Sequence, residues 1–242
     1  MAHNILLVDD DSSITDMLAG YLIKEGYAVT TASNGEEGLI QFNSGRFDLL
    51  IVDIMMPKLD GIEMIKIIRE SSPIPILIMS AKDNDIDKAI GLGFGADDYI
   101  AKPFSLIEIT ARIKAAIRRV TLYAKYPEQD IPNDQTSVST QVLDLGYAIV
   151  DLDHYSIKKG NEEVQLTSKE ADILKLFLKN PNRVFTKAQI YEFIWQDDYM
   201  GDENVINVHI RRLRSKIEEN PSEPKHLKTL WGIGYKWDGQ SC

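Results

Sequence analysis

The chain has 242 residues, 44% of them hydrophobic and 26% charged, with a net charge of −10. That length accommodates two domains with cores of their own, and the composition excludes wholesale disorder. The single cysteine, Cys242, excludes an internal disulfide framework and a cysteine-based zinc site.

The opening residues Met1-Ala2-His3-Asn4 lack the basic and apolar regions of a signal peptide. No apolar run approaches the roughly 18 residues of a membrane span, so a soluble, cytoplasmic protein with no membrane partner is expected. Residues 1–121 read as a first domain. Short, continuously apolar strands are predicted at Ile5–Val8, Ala28–Thr31, Leu49–Val52, Ile76–Met79 and Tyr99–Ala101. Helices fit Ser13–Lys24, Glu36–Phe42, Ile62–Glu70, Asp85–Leu92 and Leu106–Val120. Their strict alternation predicts an α/β fold, a doubly wound five-stranded parallel sheet.

Ligands of such sheets bind outside the carboxyl ends of the strands. There the sequence places Asp9-Asp10-Asp11 after the first strand, Asp53 after the third, Ser80 after the fourth and Lys102 after the fifth. Converging carboxylates repel one another unless a cation neutralises them, and an all-oxygen set suits Mg²⁺. A carboxylate beside that ion can attack a phosphoryl group, whose oxygens Lys102 and the Ser80 hydroxyl could then bond. Any one of these residues can also be an ordinary helix cap, and Asp11 or Ser12 fits that use.

Four segments carry a resemblance. Ile5-Leu6-Leu7-Val8-Asp9-Asp10-Asp11, Asp53-Ile54-Met55-Met56-Pro57-Lys58-Leu59-Asp60-Gly61, Ser80-Ala81-Lys82 and Gly95-Ala96-Asp97-Asp98-Tyr99-Ile100-Ala101-Lys102-Pro103-Phe104 resemble the receiver domain of two-component response regulators. The resemblance implies a flavodoxin-like receiver in which Asp53 is the phospho-acceptor. It further implies that Asp10 and the Met55 carbonyl ligate Mg²⁺ together with Asp53, and that Asp9 joins through water. Lys102 would contact the phosphoryl oxygens, Ser80 and Tyr99 would form a switch pair, and the Lys102–Pro103 bond would be cis. A symmetric dimer on the face of the fourth and fifth helices is implied as well, through Lys88–Glu108, Asp98–Arg112 and Asp97–Arg119 pairs. Gly93 stands where relatives often have an acid, so one further pair is absent.

Residues 122–141 change character, with Pro127, Pro132 and a Ser/Thr-rich stretch, and read as a flexible linker. Residues 142–242 form the second predicted domain. Strand-like segments (Tyr147–Val150, Ser156–Lys158, Glu163–Leu166) precede helices at Ser168–Lys179, Lys187–Trp195 and Glu203–Glu218. A hairpin, Lys228–Trp231 and Tyr235–Trp237, closes the pattern around Gly232-Ile233-Gly234. Residues 1–120 carry a net charge of −6 and residues 141–242 only −2, with Arg211, Arg212, Arg214 and Lys216 clustered. Local charge, not the total, sets the field that a phosphate backbone meets.

At 100° per residue, Ile206, Ile210, Leu213 and Ile217 form the core stripe of the last helix. Asn204, Asn207, Val208, Arg211, Arg212 and Ser215 fall on the opposite face, an amide, guanidinium and apolar set suited to base edges and phosphates, or to plain solvation. Residues 143–237 resemble the winged-helix effector domain of the OmpR/PhoB subfamily. The firmest matches are Leu166-Thr167-Ser168-Lys169-Glu170, the run Asn207 to Lys216, and Thr229-Leu230-Trp231-Gly232-Ile233-Gly234-Tyr235-Lys236. In that subfamily the basic helix enters the major groove and the hairpin touches the minor groove. The expected contacts to double-stranded promoter DNA are therefore Asn204, Asn207, Val208, Arg211, Arg212, Arg214, Ser215, Lys216, Thr229 and Trp231. Arg212 is expected to read a base and Arg211 to anchor phosphate.

Many relatives have arginine at Trp231 and a polar or basic residue at Asn204. Two uses of Trp231 stand open: packing under the hairpin beside Tyr235 and Trp237, or lying against the sugar–phosphate backbone. Packing is the expected one, because aromatic rings supply much of the burial in small hairpins. The whole reads as a DNA-binding regulator phosphorylated by a sensor histidine kinase, with RNA polymerase as a further partner, and not as an enzyme. Two rivals remain: a Mg²⁺-dependent phosphohydrolase with an aspartyl-phosphate intermediate, and a DNA-binding protein with a degenerate receiver. Such hydrolases place their nucleophile in a D-x-D motif on strand one, whereas the isolated acid here is Asp53.

Overall fold

The computed structural model describes residues 2–81, 92–124, 142–195 and 203–239, at the level of the backbone alone for 81, 118–124, 203 and 204. Most of the predicted helix Asp85–Leu92, most of the predicted linker, Lys88, and the side chains of Arg119 and Asn204 lie outside the described residues. Two compact units divide the chain at residues 120 and 121.

The first unit contains β1 (Asn4–Val8), α1 (Ser12–Lys24), β2 (Ala28–Ala32), α2 (Gly35–Ser44), β3 (Leu49–Asp53), α3 (Gly61–Arg69), β4 (Ile76–Ala81), β5 (Asp98–Lys102) and α4 (Leu106–Ala124). The strands form one parallel sheet in the order β2-β1-β3-β4-β5. The central strands are buried on both faces, which is why Leu49–Val52 and Ile76–Met79 are unbroken apolar runs. Each buried aliphatic side chain contributes about 1.5–3 kcal/mol. Asp11, Asn34 and Asp60 cap α1, α2 and α3 by accepting backbone N–H groups of their first turns.

Several strands run on past their predicted ends. Polarity stops the apolar pattern, but backbone pairing continues through Asp53, Ala81 and Lys102. Asp53 and Lys102 are thus the last residues of their strands to pair. Helix α4 also outruns its expected end and reaches Ala124, since no proline or glycine interrupts the chain before Pro127.

The second unit opens with a four-stranded antiparallel sheet, β6 (Val142–Asp144), β7 (Ile149–Asp151), β8 (Ser156–Lys159) and β9 (Glu162–Gln165). Helices α5 (Ser168–Leu178), α6 (Lys187–Trp195) and α7 (Glu203–Ile217) follow, with the two-residue strand β10 (Val184–Phe185) before α6. Strands β11 (Leu227–Leu230) and β12 (Gly234–Trp237) complete a second sheet in the order β10-β12-β11. This is the α+β winged-helix arrangement. Strands β6 and β10 are too short to show a period and were not expected. Ile206, Ile210, Leu213 and Ile217 are buried as their spacing predicts. Val205 and His209 are buried beside them, with the His209 ring 5.3 Å from that of Trp195, so the buried face of α7 is wider than the predicted stripe.

Candidate functional site

Register builds the pocket of the first unit. Val8 pairs with Val52, so the chain beyond β1 delivers Asp9 next to Asp53; Asp53 pairs with Met79, and Ala81 with Lys102. The Lys102 ammonium lies 2.8 Å from Asp9 Oδ2 and 3.0 Å from Asp53 Oδ2. Asp9 is fully buried, and its other oxygen accepts the Asp11 N–H at 2.9 Å. Asp10 is exposed, yet it offers a carboxylate oxygen within 4.8 Å of those of Asp9 and Asp53.

Burial pushes the Asp53 carboxyl above its ordinary value; Lys102 opposes that shift and the neighbouring Asp9 adds to it. Burial would lower the Lys102 ammonium, but its bonds to Asp9 and Asp53 more than offset this and hold it above the usual lysine range. Three carboxylates against one ammonium leave the pocket short of positive charge. A hard divalent cation on the exposed, Asp10 side fits that deficit and donor set.

Ser80 is buried at the end of β4. Tyr99 pairs with Ile78, two residues before Ser80, so Tyr99 and Ser80 stand on one face of adjacent strands. The Met55 side chain is exposed, and the Lys102–Pro103 peptide is cis.

In the second unit, α7 is fastened on both flanks. Glu170 on α5, fully buried, accepts the Thr167 N–H at 2.9 Å and pairs with Arg212 at 2.9 Å and Lys216 at 2.6 Å. Arg214 donates to the Leu227 carbonyl and to Thr229 Oγ1 at 2.8 Å. Tyr235 Oη donates to Asn207 Oδ1 at 3.0 Å. Glu218, just past α7, accepts the backbone N–H groups of Lys225, His226 and Leu227.

Comparison with known proteins agrees with both halves of this geometry. Residues 5–114 match the response regulator receiver domain, and residues 161–237 match the family described as transcriptional regulatory protein, C terminal. The chain is 54% identical, over 96% of its length and 98% of the relative's, to the uncharacterized transcriptional regulatory protein YcbL of Bacillus subtilis. The chain is a response regulator of the OmpR/PhoB type. This response regulator is also 40% identical to the alkaline phosphatase synthesis transcriptional regulatory protein PhoP of Bacillus subtilis, across 98% of the chain and 97% of that protein. A solved mutant of RitR shares its fold, with a TM-score of 0.75 at 24% identity, covering 98% of this chain and 100% of that one. YcbL and PhoP are both named as transcriptional regulatory proteins. The response regulator binds DNA and acts in two-component signalling.

Against the residue-level expectations, the response regulator shows three differences. Arg212 does not stand clear on the outward face of α7: its guanidinium is turned onto Glu170, and Lys216 joins it there. Arg214 and Asn207 brace the hairpin, while Arg211 and Ser215 remain exposed and Val208 is half-buried. In this arrangement the Arg212 guanidinium ties α7 to α5.

The second difference concerns the expected dimer pairs. Asp98 and Arg112 pair at 2.9 Å within one chain, and Arg112 also holds Glu108. Asp97 is buried, bonded to Arg69 at 2.8 Å and to the Ile76 N–H. The third is Trp231, which is 91% exposed in the turn after β11 instead of packed beneath the hairpin. Gly232 at φ +73° and the bond from Ile233 N–H to the Leu230 carbonyl end the strand one residue early. Glu170 itself was missed as a hub, although Thr167-x-x-Glu170 ahead of an apolar run is a capping-box signature.

Proposed function

We propose that Asp53 accepts a phosphoryl group from a sensor histidine kinase and that the phosphorylated protein dimerises and regulates transcription from promoter DNA. The observation that carries this reading is the Lys102 ammonium lying within 3.0 Å of both buried acids, Asp9 and Asp53. Desolvation leaves the Asp53 oxygen poorly hydrated and thus a better nucleophile. That oxygen attacks phosphorus, the bond to the donor's leaving group breaks, and the leaving group takes up a proton from water. Lys102 stays beside the pocket to bond the arriving phosphoryl oxygens. Asp10, Asp53 and the Met55 carbonyl would hold Mg²⁺, with Asp9 joining through water; the bound ion neutralises negative charge on the transferred group.

The new group adds about −1.5 to −2 charges next to Asp9. Ser80 turns toward it and Tyr99 moves inward, which repacks the surface that carries Asp98, Glu108 and Arg112. Dimerisation through Lys88, Asp97, Asp98, Glu108, Arg112 and Arg119 then requires Arg112 and Asp97 to exchange partners, because each is already ion-paired within the chain. The Asp98–Arg112 and Asp97–Arg69 pairs are thus contacts of the resting state. Arg211, Val208 and Ser215 face the major groove, and RNA polymerase is engaged from the DNA-bound dimer. These partners place the protein in the cytoplasm, and among the described residues no helix is long and apolar enough to cross a membrane.

Incubation with a small phosphodonor such as acetyl phosphate and Mg²⁺, read by intact-mass spectrometry, tests the assignment. The expected result is one added phosphoryl group in the wild-type protein and none in Asp53→Asn. Labelling of the variant at the wild-type rate would overturn it.

A further inference from the structure

The loop between β3 and α3, residues 54–60, carries Met55, whose carbonyl is assigned above to the ion, and it is anchored at both ends. Beside Asp53, the Ile54 carbonyl accepts the Gly61 N–H at 2.9 Å and closes the loop on itself. At the far end, the Leu59 carbonyl accepts the N–H of Gly35, the first residue of α2, at 3.1 Å. Between the anchors lies Lys58, exposed and at φ +68°, a conformation that side chains seldom adopt. A solvated lysine in an unanchored loop would relax out of it, so the anchors impose this shape.

The contact with α2 leaves no room for a side chain. A Cβ on Gly35 would stand 2.5 Å from the Leu59 carbonyl oxygen and 3.1 Å from the Leu59 Cβ. The start of α2 is the stiffer partner. Asn34 Oδ1 accepts the Glu37 N–H at 3.1 Å, and Glu37 returns the bond by accepting the Ser33 N–H at 2.8 Å and its hydroxyl at 2.7 Å. One turn on, a Cβ at Gly38 would meet Met64 at 2.7 Å and Val8 at 3.2 Å, so the helix lies flush against α3 and β1. The loop, by contrast, exposes Met55, Pro57, Lys58 and Asp60 to water. Under strain at Leu59 it is the loop that yields.

We propose that Gly35 is a positioning residue for the metal site: the close approach of α2 to Leu59 fixes the shape of the β3–α3 loop and, through it, the affinity for a divalent cation. This rests on the reading of Asp10, Asp53 and the Met55 carbonyl as the ligands. Groups that orient metal ligands are typically worth about 10- to 100-fold in metal affinity. The Ile54–Gly61 bond ties the two ends of the loop together, so a shift at Leu59 is absorbed within residues 55–59 and does not reach Asp53. Gly35 thus sets how tightly the ion is held, and not how fast Asp53 reacts once the ion is bound.

The test uses the full-length protein with Mn²⁺, a hard oxygen-seeking ion whose free form is counted by electron paramagnetic resonance. Wild type, Gly35→Ala and the charge-matched pair Lys58→Gly and Lys58→Val are titrated, and labelling by acetyl phosphate is followed across a Mg²⁺ series. Gly35→Ala should bind Mn²⁺ about 10- to 100-fold more weakly, yet label at the wild-type rate once Mg²⁺ saturates. Lys58→Gly accepts the positive φ and should keep wild-type affinity, whereas Lys58→Val, β-branched, resists it and should weaken binding. Should Gly35→Ala fail to fold, the exposed Lys58 pair decides alone. Wild-type affinity in a folded Gly35→Ala or in Lys58→Val would overturn the proposal, as would equal loss in both Lys58 variants, which would assign the effect to the ammonium. Slow labelling of Gly35→Ala at saturating Mg²⁺ would place the effect on Asp53 and refute it too. Absence of Mn²⁺ binding and of Mg²⁺-dependent labelling in the wild-type protein would instead overturn the reading of the pocket as a metal site, and the proposal with it.

Discussion

Replacing Glu170 by alanine should lower the unfolding temperature of the second unit by roughly 15 °C, the largest stability effect expected of any single side chain in it. Glu170 is fully buried and neutralises two cations from α7 while accepting the Thr167 N–H. Breaking a buried ion pair by deleting one partner costs about 3–5 kcal/mol, because the other charge is stranded. The lower end of that range applies here, since Arg212 and Lys216 lie near enough to the surface to reach water. Glu170→Gln separates charge from shape. It keeps an acceptor for the Thr167 N–H, so it should recover the capping contribution, about 1 kcal/mol, and no more.

The pH dependence gives an independent check. Burial would raise the Glu170 carboxyl, but Arg212, Lys216 and the Thr167 N–H outweigh it and hold the group below its usual value. An unfolded glutamate titrates near about pH 4.3. The stabilisation is therefore complete above that pH and is lost as pH falls through the lower folded value. The stability difference between wild type and Glu170→Gln should shrink as pH drops below about 4. A difference that stays constant across that range would show that the carboxylate charge is not what holds α7.

Gly61→Ala should produce the largest effect in the receiver. Gly61 opens α3 immediately after the cap Asp60 and donates its N–H to the Ile54 carbonyl at 2.9 Å. A Cβ there would collide with the carbonyl oxygen of Asp53 and would lie 3.0 Å from the Ile54 Cα. These neighbours are backbone and cannot rotate away, so the end of β3 must shift. Overpacking of this kind costs about 1–3 kcal/mol. The shift also moves Asp53 relative to Lys102 and Asp10, and misplacement of about 1 Å can cost on the order of a hundredfold in rate. Thermal melts and the phosphodonor assay read the two effects together. A variant with wild-type stability and wild-type labelling would contradict this account of how Asp53 is placed.

The receiver pocket was legible in the sequence because a parallel sheet aligns its strand ends. Once Ile5–Val8 and Leu49–Val52 are neighbouring strands, the acids that follow them must meet. The effector domain was legible as a fold, and the aliphatic stripe of α7 was buried as its spacing required. What escaped was the identity of the partners on the other side of that helix. A helical wheel shows that Arg212 points away from the aliphatic stripe, but not that Glu170, from a distant segment, already occupies that direction. The Asp97–Arg69 pair escaped for the same reason, since no local pattern reveals the reach of Arg69, whereas Asp98–Arg112 was expected, but between two chains. Trp231 was expected to pack because aromatic rings usually bury in small hairpins, but the chain turns one residue early, at the positive φ of Gly232, and leaves the indole exposed.

The central claim is that chemistry at Asp53 controls the affinity of the second unit for DNA. The most direct measurement is a fluorescence-anisotropy titration of a duplex selected from random DNA with wild type and Asp53→Asn, each before and after incubation with acetyl phosphate and Mg²⁺. Allosteric coupling of about 1–3 kcal/mol corresponds to a change of roughly 5- to 150-fold in affinity. Wild-type binding should tighten within that range while the variant does not respond. Equal affinity before and after in wild-type protein shown to carry the phosphoryl group, or tightening in Asp53→Asn, would contradict it.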